Sequence, residues 1–244
     1  MQPLRIRCRP AAFIWYDRWI MVDSVLAHAW MLREYGEDFY ALPTLTPVTP
    51  AVELITPDLP LARRADHTTH WYWAASWCDV EAATLHTARS AWVRSYPTHD
   101  ATAYMRHSER KAERTVNSVA GPDKLYNVPV YLRVVDELCW YVVGDLDEVA
   151  ALLSTVPHIG KKCASGWGQL LPYPDGHLWQ VEPWHADWSE RDGDGHLTRG
   201  VPVVTHEADW FAGEPVYLSL NARLYGYRPP YFVRANQALC NLPE

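Results

Sequence analysis

The sequence predicts an α+β chain of ferredoxin-like (RRM-like) βαββαβ order, with a long insertion after the first helix and a β-rich C-terminal extension. Leu4, Ile6 and Cys8 alternate with Arg5, Arg7 and Arg9, the period of a half-buried strand. Two segments, around residues 22–32 and 149–156, repeat apolar side chains at helical spacing. A glycine-rich loop then runs into the apolar strand Gln169-Leu170-Leu171.

In chain order, the first strand puts its three arginines on one face. After an aromatic stretch around Phe13 to Trp19, Val22, Val25, Leu26, Ala29 and Leu32 form a helix with Asp23 or Ser24 as the expected N-cap and Gly36 as the stop. Prolines interrupt any period from Ala41 to Pro60, which reads as an irregular loop. His70 to Trp77 reads as a strand, Glu81 to Ser95 as a helix or a second strand, and 104–119 as a polar helix closed by Gly121-Pro122. Val128 to Val135 and Leu138 to Val143 read as a hairpin joined by Asp136-Glu137. Asp145 with Glu148 resembles a capping box for the helix of Val149, Leu152, Leu153 and Val156, which Pro157 ends. A ferredoxin-like domain is thus expected at 1–171, with an insertion or thumb within 41–127. Residues 172–244 are expected to form an acidic, proline-rich, β-rich extension or small second domain, with short strands at Val201 to His206 and Val216 to Leu220.

The 244 residues carry 22 basic and 29 acidic side chains, a net charge of -7 that on its face argues against a polyanion partner. Residues 171–214 hold nine acids and two bases, which accounts for the whole of that charge, and the remainder is balanced at 20 against 20. A clustered basic surface is therefore compatible with this composition. The acidic segment is expected to face solvent or a basic partner, away from a bound polyanion. There is no apolar run long enough to span a membrane and no signal-peptide pattern. Five dispersed cysteines without a C-x-x-C pair fit a reducing cytoplasm. His67, His70 and Cys78 lack an evident fourth ligand, so no metal is expected, and no cofactor is implied.

The best single signal is the loop His158 to Gly168. Gly160, Gly166 and Gly168 allow close backbone approach to a ligand, Lys161, Lys162 and Ser165 offer phosphate-seeking donors, and Trp167 offers a ring. The loop precedes a strand and lacks the G-x-x-x-x-G-K-[ST] pattern, so it is not a P-loop; a tight helix-to-strand connection is the competing reading. Arg106, Arg110, Lys111 and Arg114 at i, i+4, i+5 and i+8, with Lys124 beyond, would make a basic helical stripe. Glu109 and Glu113 at salt-bridge spacing equally allow a solvated face. All four lysines of the chain lie in these two segments. Arg5 and Arg7 complete the candidate polyanion-binding set. Thirteen Trp and 14 Tyr against four Phe suit either amphipathic interfaces or base stacking. No G-x-S-x-G, H-E-x-x-H or paired-carboxylate motif is present, and the eleven histidines are scattered, so spacing supports no catalytic constellation.

Several segments, in their joint order, resemble the RAMP superfamily of CRISPR systems. They are Asp23-Ser24-Val25-Leu26-Ala27-His28-Ala29, Trp71-Tyr72-Trp73-Ala74-Ala75-Ser76, His158 to Gly168, and Leu197-Thr198-Arg199-Gly200-Val201-Pro202-Val203. Together they are similar to the group-five-like subunit of type IV effector complexes, over roughly residues 4 to 203. Ser24 departs from the helix-start glycine, and Cys163 stands where a basic residue is common, which shifts weight to Lys161 and Lys162. The resemblance implies a non-catalytic subunit that caps the crRNA 5′ handle beside the backbone and large subunits, with a thumb in the 41–127 insertion. Contact with target DNA stays open. The alternative within the same superfamily is an endoribonuclease that processes repeat RNA with a histidine such as His28 or His70.

Overall fold

A computed structural model describes residues 1–15, 17–65, 71–94, 126–203 and 222–243. In chain order the elements are β1 (Gln2–Pro10), β2 (Trp19–Met21), α1 (Val22–Tyr35), β3 (Arg63–Ala65), β4 (Trp71–Trp73), β5 (Trp77–Asp79), α2 (Val80–Ala83), β6 (Thr84–Arg94) and β7 (Tyr126–Val135). There follow β8 (Leu138–Gly144), α3 (Leu146–Ser154), β9 (Leu170–Leu171), β10 (Trp179–Pro183), β11 (Val201–Pro202), β12 (Arg223–Gly226) and β13 (Gln237–Asn241). The result is an α+β protein with three α-helices and several small antiparallel sheets among the described residues.

The first strand forms as its alternation dictates. Leu4, Ile6 and Cys8 are wholly buried while Arg5 and Arg7 stand on the opposite face. Its neighbours keep the same parity. Leu4, Ile6 and Cys8 lie opposite Val142, Trp140 and Leu138 of β8 on one side, and Ile6 and Cys8 lie opposite Val181 and Trp179 of β10 on the other. A slip of one residue would turn the whole apolar set outward, so burial of one face fixes the register. Helices α1 and α3 pack against each other, and their apolar sides join this core. Trp140 and Trp179 meet within it at a tilt, ring centroids 6.0 Å apart, each donating its indole N–H at 2.8 Å, to Ile20 O and Val156 O respectively. These bonds satisfy the polar end of each buried ring.

The expected ferredoxin-like order is not evident. The anticipated hairpin between Val128–Val135 and Leu138–Val143 does not form: β7 pairs along its length with β6, from Thr84↔Val135 to Arg94↔Tyr126. The edge of β8 is taken instead by two segments that follow α1. Ser76 N donates to Tyr141 O at 2.8 Å, Val143 N to Ala74 O at 2.9 Å, and Ala62 N to Val143 O at 2.8 Å. Asp136-Glu137 lacks the glycine or asparagine that lets a two-residue turn reverse the chain tightly, and β6 offers β7 a longer partner.

Helix α1 begins two or three residues earlier than an N-cap at Asp23 or Ser24 would place it. β2 runs directly into Val22, and Met21 at the N-cap makes no side-chain bond. Asp23 is a fully buried first-turn residue whose carboxylate accepts from Ser24 N at 3.0 Å and from Tyr231. Gly36 does end the helix, at φ 53°. Asp145 caps α3, accepting at 3.1 Å from the N–H groups of both Asp147 and Glu148.

In the C-terminal region, β10 belongs to the sheet of β1, whereas β11, β13 and β12 form a sheet of their own. A second apolar cluster, including Trp19, Tyr72, Trp77, Tyr227 and Cys240, joins that sheet to the segments around β2 and β5. Arg199 is the polar centre of the junction. Fully buried, it donates to the carbonyls of Trp73, Ala75 (3.0 Å) and Tyr227 (2.6 Å), and its guanidinium lies 4.4 Å from the ring of Tyr72. The motif Leu197 to Val203 is therefore a structural fastener.

The acidic segment does not simply face solvent or a partner. Glu182 pairs with both Arg5 and Arg7, Asp187 with Arg64, and Glu190 accepts from the Tyr72 hydroxyl at 2.8 Å. The strand pairing of β1 with β10 brings these charges together, because Arg5 lies directly opposite Glu182.

Candidate nucleic-acid interface

The short segment after β1, residues 11–15, organises the site. Successive residues of an extended chain present their backbone groups to alternate edges. On one edge Gly168 N donates to Ala12 O at 3.1 Å and Lys161 N to Ile14 O at 3.0 Å, and ahead of the bend at Ala12 the N–H of Ala11 donates to Gln169 O at 2.8 Å. On the other, Phe13 exchanges backbone bonds with Arg133 of β7, at 3.1 and 2.7 Å. One extended segment thus fastens the glycine-rich loop to one side and the β6–β7 ribbon to the other.

The three loop glycines have different tasks. A Cβ on Gly168 would sit 1.8 Å from Ile159 O, and one on Gly160 would sit 2.8 Å from Ile14 O, so both are needed to close the loop against backbone. Gly166 faces open space at φ +81°. Closure leaves the tip, Lys161 to Trp167, projecting. Lys161 and Lys162 are exposed, Cys163–Ser165 form a 3-10 turn, and Lys162 adopts a left-handed backbone at φ 64° that an L side chain takes only at a cost of about 1 kcal/mol. The sequence-predicted residues Gly160, Lys161, Lys162, Ser165, Gly166, Trp167 and Gly168 therefore share one loop.

Arg5 and Arg7 lie elsewhere, on the outer face of β1, and both are engaged. The Arg5 Nε donates to Glu182 Oε1 at 2.7 Å, and the Arg7 guanidinium contacts Glu137 at 3.4 Å, Glu182 at 3.2 Å and Gln180 at 2.7 Å. Burial works to lower the pKa of Arg7, but Glu137 and Glu182 outweigh it and raise it. The Arg106, Arg110, Lys111, Arg114 and Lys124 stripe lies outside the described residues.

Two features escaped the sequence reading. The first is the ribbon. Its strands contain His86, Arg89, Arg94 and Arg133 and no Asp or Glu, in a chain whose overall balance is acidic. Leu85, Val128 and Tyr131 on it are exposed at 69, 46 and 56%. Counting acids strand by strand would have revealed this pattern. The second is a cleft of about 690 Å³ beside the loop, between Gly160 and Cys163, the start of α1, and the C-terminal segment. Trp15, Trp19, Tyr225, Tyr231 and Phe232 line it, with His28 and His158. Burial lowers the pKa of His28, which favours the neutral imidazole. No spacing rule links Trp15 to Tyr225, so this cleft had no sequence signal.

Among the described residues, Asp192, Asp194 and His196 bring possible metal-ligand atoms within 4.8 Å of one another. The Asp192 carboxylate there accepts the N–H groups of Asp194 and His196 at 3.0 and 2.9 Å, the ordinary bonding of an Asx turn. His67 and His70 lie outside the described residues.

A glycine loop and an acid-free ribbon fastened to one strand end suit a component of a nucleic-acid-handling assembly. Residues 2–201 match the family described as CRISPR type IV associated protein Csf3. The match spans 200 of the 244 residues, and the chain belongs to that family of CRISPR type IV proteins. No curated protein matches the chain. No helix among the described residues is long and apolar enough to cross a membrane.

Proposed function

We propose that this chain is a non-catalytic RNA-binding subunit of a type IV CRISPR ribonucleoprotein, holding the 5′ handle of the crRNA beside the backbone and large subunits. The observation that carries the reading is the double fastening of residues 11–15. It sets two exposed lysines on a projecting loop near the foot of a ribbon that bears arginines and no acids. Lys161, Lys162 and Arg89 supply phosphate contacts, and Trp167 supplies a ring for an unpaired base. Arg106, Arg110, Lys111, Arg114 and Lys124, which lie between the two ribbon strands in sequence, are proposed as further phosphate ligands. Arg5 and Arg7 serve the sheet through their glutamates and take a lesser part.

The test is binding of repeat RNA by the purified full chain across a salt series. Each phosphate contact released contributes about 0.7 to the slope of log K against log salt for a single strand. Lys161→Ala with Lys162→Ala is expected to reduce the slope by about 1.4 and the affinity at low salt by at least tenfold. An unchanged slope would remove the loop from the interface.

One observation favours a second reading, an endoribonuclease: His28 and His158 line the same cleft. A neutral His28 suits a general base. Cleavage of repeat RNA by the wild-type chain, lost in His28→Ala, would select this reading over the first.

A further inference from the structure

The C-terminal segment beyond residue 201 lies outside the residues that match the family, yet it forms one wall of the cleft beside the glycine loop. We propose that this cleft receives one unstacked base of a bound single-stranded RNA, with the adjoining phosphate held at the lysines of the loop. The inference rests on the RNA-binding reading above and adds to it the place where a base is held.

Three observations support a base as the occupant. The first is size and lining. A cleft of about 690 Å³ has ample room for a planar ring, and five aromatic side chains on its walls offer the π-faces that hold one. The second is preorganisation. Trp15 donates its indole N–H to Trp19 O at 3.1 Å, the Tyr225 hydroxyl bonds Asp17 at 3.1 Å, and the Tyr231 hydroxyl is held on Asp23. Rings fixed in this way lose little freedom when a base enters. The third is polarity. Among the described residues neither imidazole, His28 nor His158, has a hydrogen-bond partner, which leaves donors and acceptors for a base edge. Gly160 and Cys163 belong both to the cleft wall and to the loop that carries Lys161 and Lys162, so a base in the cleft would leave its phosphate next to that loop. A neutral protein side chain would gain nothing from those lysines, whereas a nucleotide brings its own anion.

Phe232 is the residue to change, since it lines the cleft while remaining 52% exposed, so its loss leaves both apolar cores intact. The experiment uses the full chain and a series of repeat RNA oligonucleotides, each with 2-aminopurine at one position. In the wild-type protein, quenching confined to one position is expected. In Phe232→Ala the quench at that position should be relieved and affinity should fall roughly 5- to 100-fold, the effect of one lost stacking partner. Ser24→Tyr, which fills the cleft from the α1 side, should relieve the same quench. Thermal melting confirms that each variant is folded. Full-strength RNA binding with no quenched position, or with a quench that both variants leave intact, would overturn the cleft assignment and leave the RNA reading standing. Absence of RNA binding by the wild-type chain would overturn both.

Discussion

The hydroxyl of Tyr231 donates to the carboxylate of Asp23, with oxygens at 2.7 and 2.6 Å, across 208 positions of sequence. Burial raises the pKa of Asp23, while Arg199, the tyrosine hydroxyl and the Ser24 N–H act to hold it ionised. The contact ties the C-terminal segment to the first turn of α1. It also explains why Asp23 does not cap its own helix: the carboxylate serves a partner that only the folded chain supplies.

Arg199 is the counter-charge of this junction. Replacing it with methionine leaves Asp23 buried without its cation and the carbonyls of Trp73, Ala75, Gly200 and Tyr227 without this donor. Arg199→Met is expected to cost roughly 3–5 kcal/mol, read from urea unfolding. Arg199→Lys should recover only part, because an ammonium cannot span carbonyls that a guanidinium fork reaches. Combining Asp23→Asn with Arg199→Met should cost less than the sum of the two single changes.

Two loop glycines should respond to alanine to very different degrees. At Gly168 the new Cβ meets Ile159 O at 1.8 Å, and that residue's N–H is itself bonded to Gly168 O. Gly168→Ala is expected to abolish folding of the loop and lower the melting temperature sharply. At Gly166 nothing stands within 4 Å, and only the left-handed backbone resists. Gly166→Ala should cost about 1 kcal/mol.

His28 gives a pH dependence with a definite sign. Burial lowers its folded-state pKa below the ordinary value of 6.5, so the native state disfavours the proton. Its contribution is complete above the unfolded pKa and is lost as pH falls through the folded one. Stability measured by denaturation should decline between pH 7 and 5, and His28→Gln should flatten that part of the profile.

The ribbon and the first strand should separate in RNA binding. Arg89 is exposed on β6, whereas Arg5 and Arg7 are held by Glu182 and Glu137. Arg89→Ala is expected to lower the salt slope by about 0.7. Arg5→Ala and Arg7→Ala should leave the slope unchanged and affect RNA affinity less than twofold, a difference that filter binding at several salt concentrations resolves.

Much of the local structure was legible. The alternation of Leu4, Ile6 and Cys8 located β1 and its buried face, the apolar period placed α1 and α3, and Asp145 and Gly36 marked their ends. The glycine-rich loop was recognisable as a unit, and its lysines stand exposed where the sequence suggested. Strand partnership was not legible. Val128–Val135 and Leu138–Val143 are neighbours in sequence, and hydrophobic period says which face of a strand is buried but not which strand lies beside it.

The sequence by itself determined the periods, the end of α1, the cap of α3, the loop and the CRISPR type IV association, because these depend on residues a few positions apart or on a shared order of motifs. The tertiary structure decided where the charges meet. Pairing β1 with β10 set Glu182 against Arg5 and Arg7, so both arginines are engaged within the sheet. Docking of Tyr231 on Asp23 brought the C-terminal aromatics to the glycine loop and made the cleft. Such contacts join residues more than 170 positions apart, and their geometry follows from how whole elements pack, which no local pattern encodes.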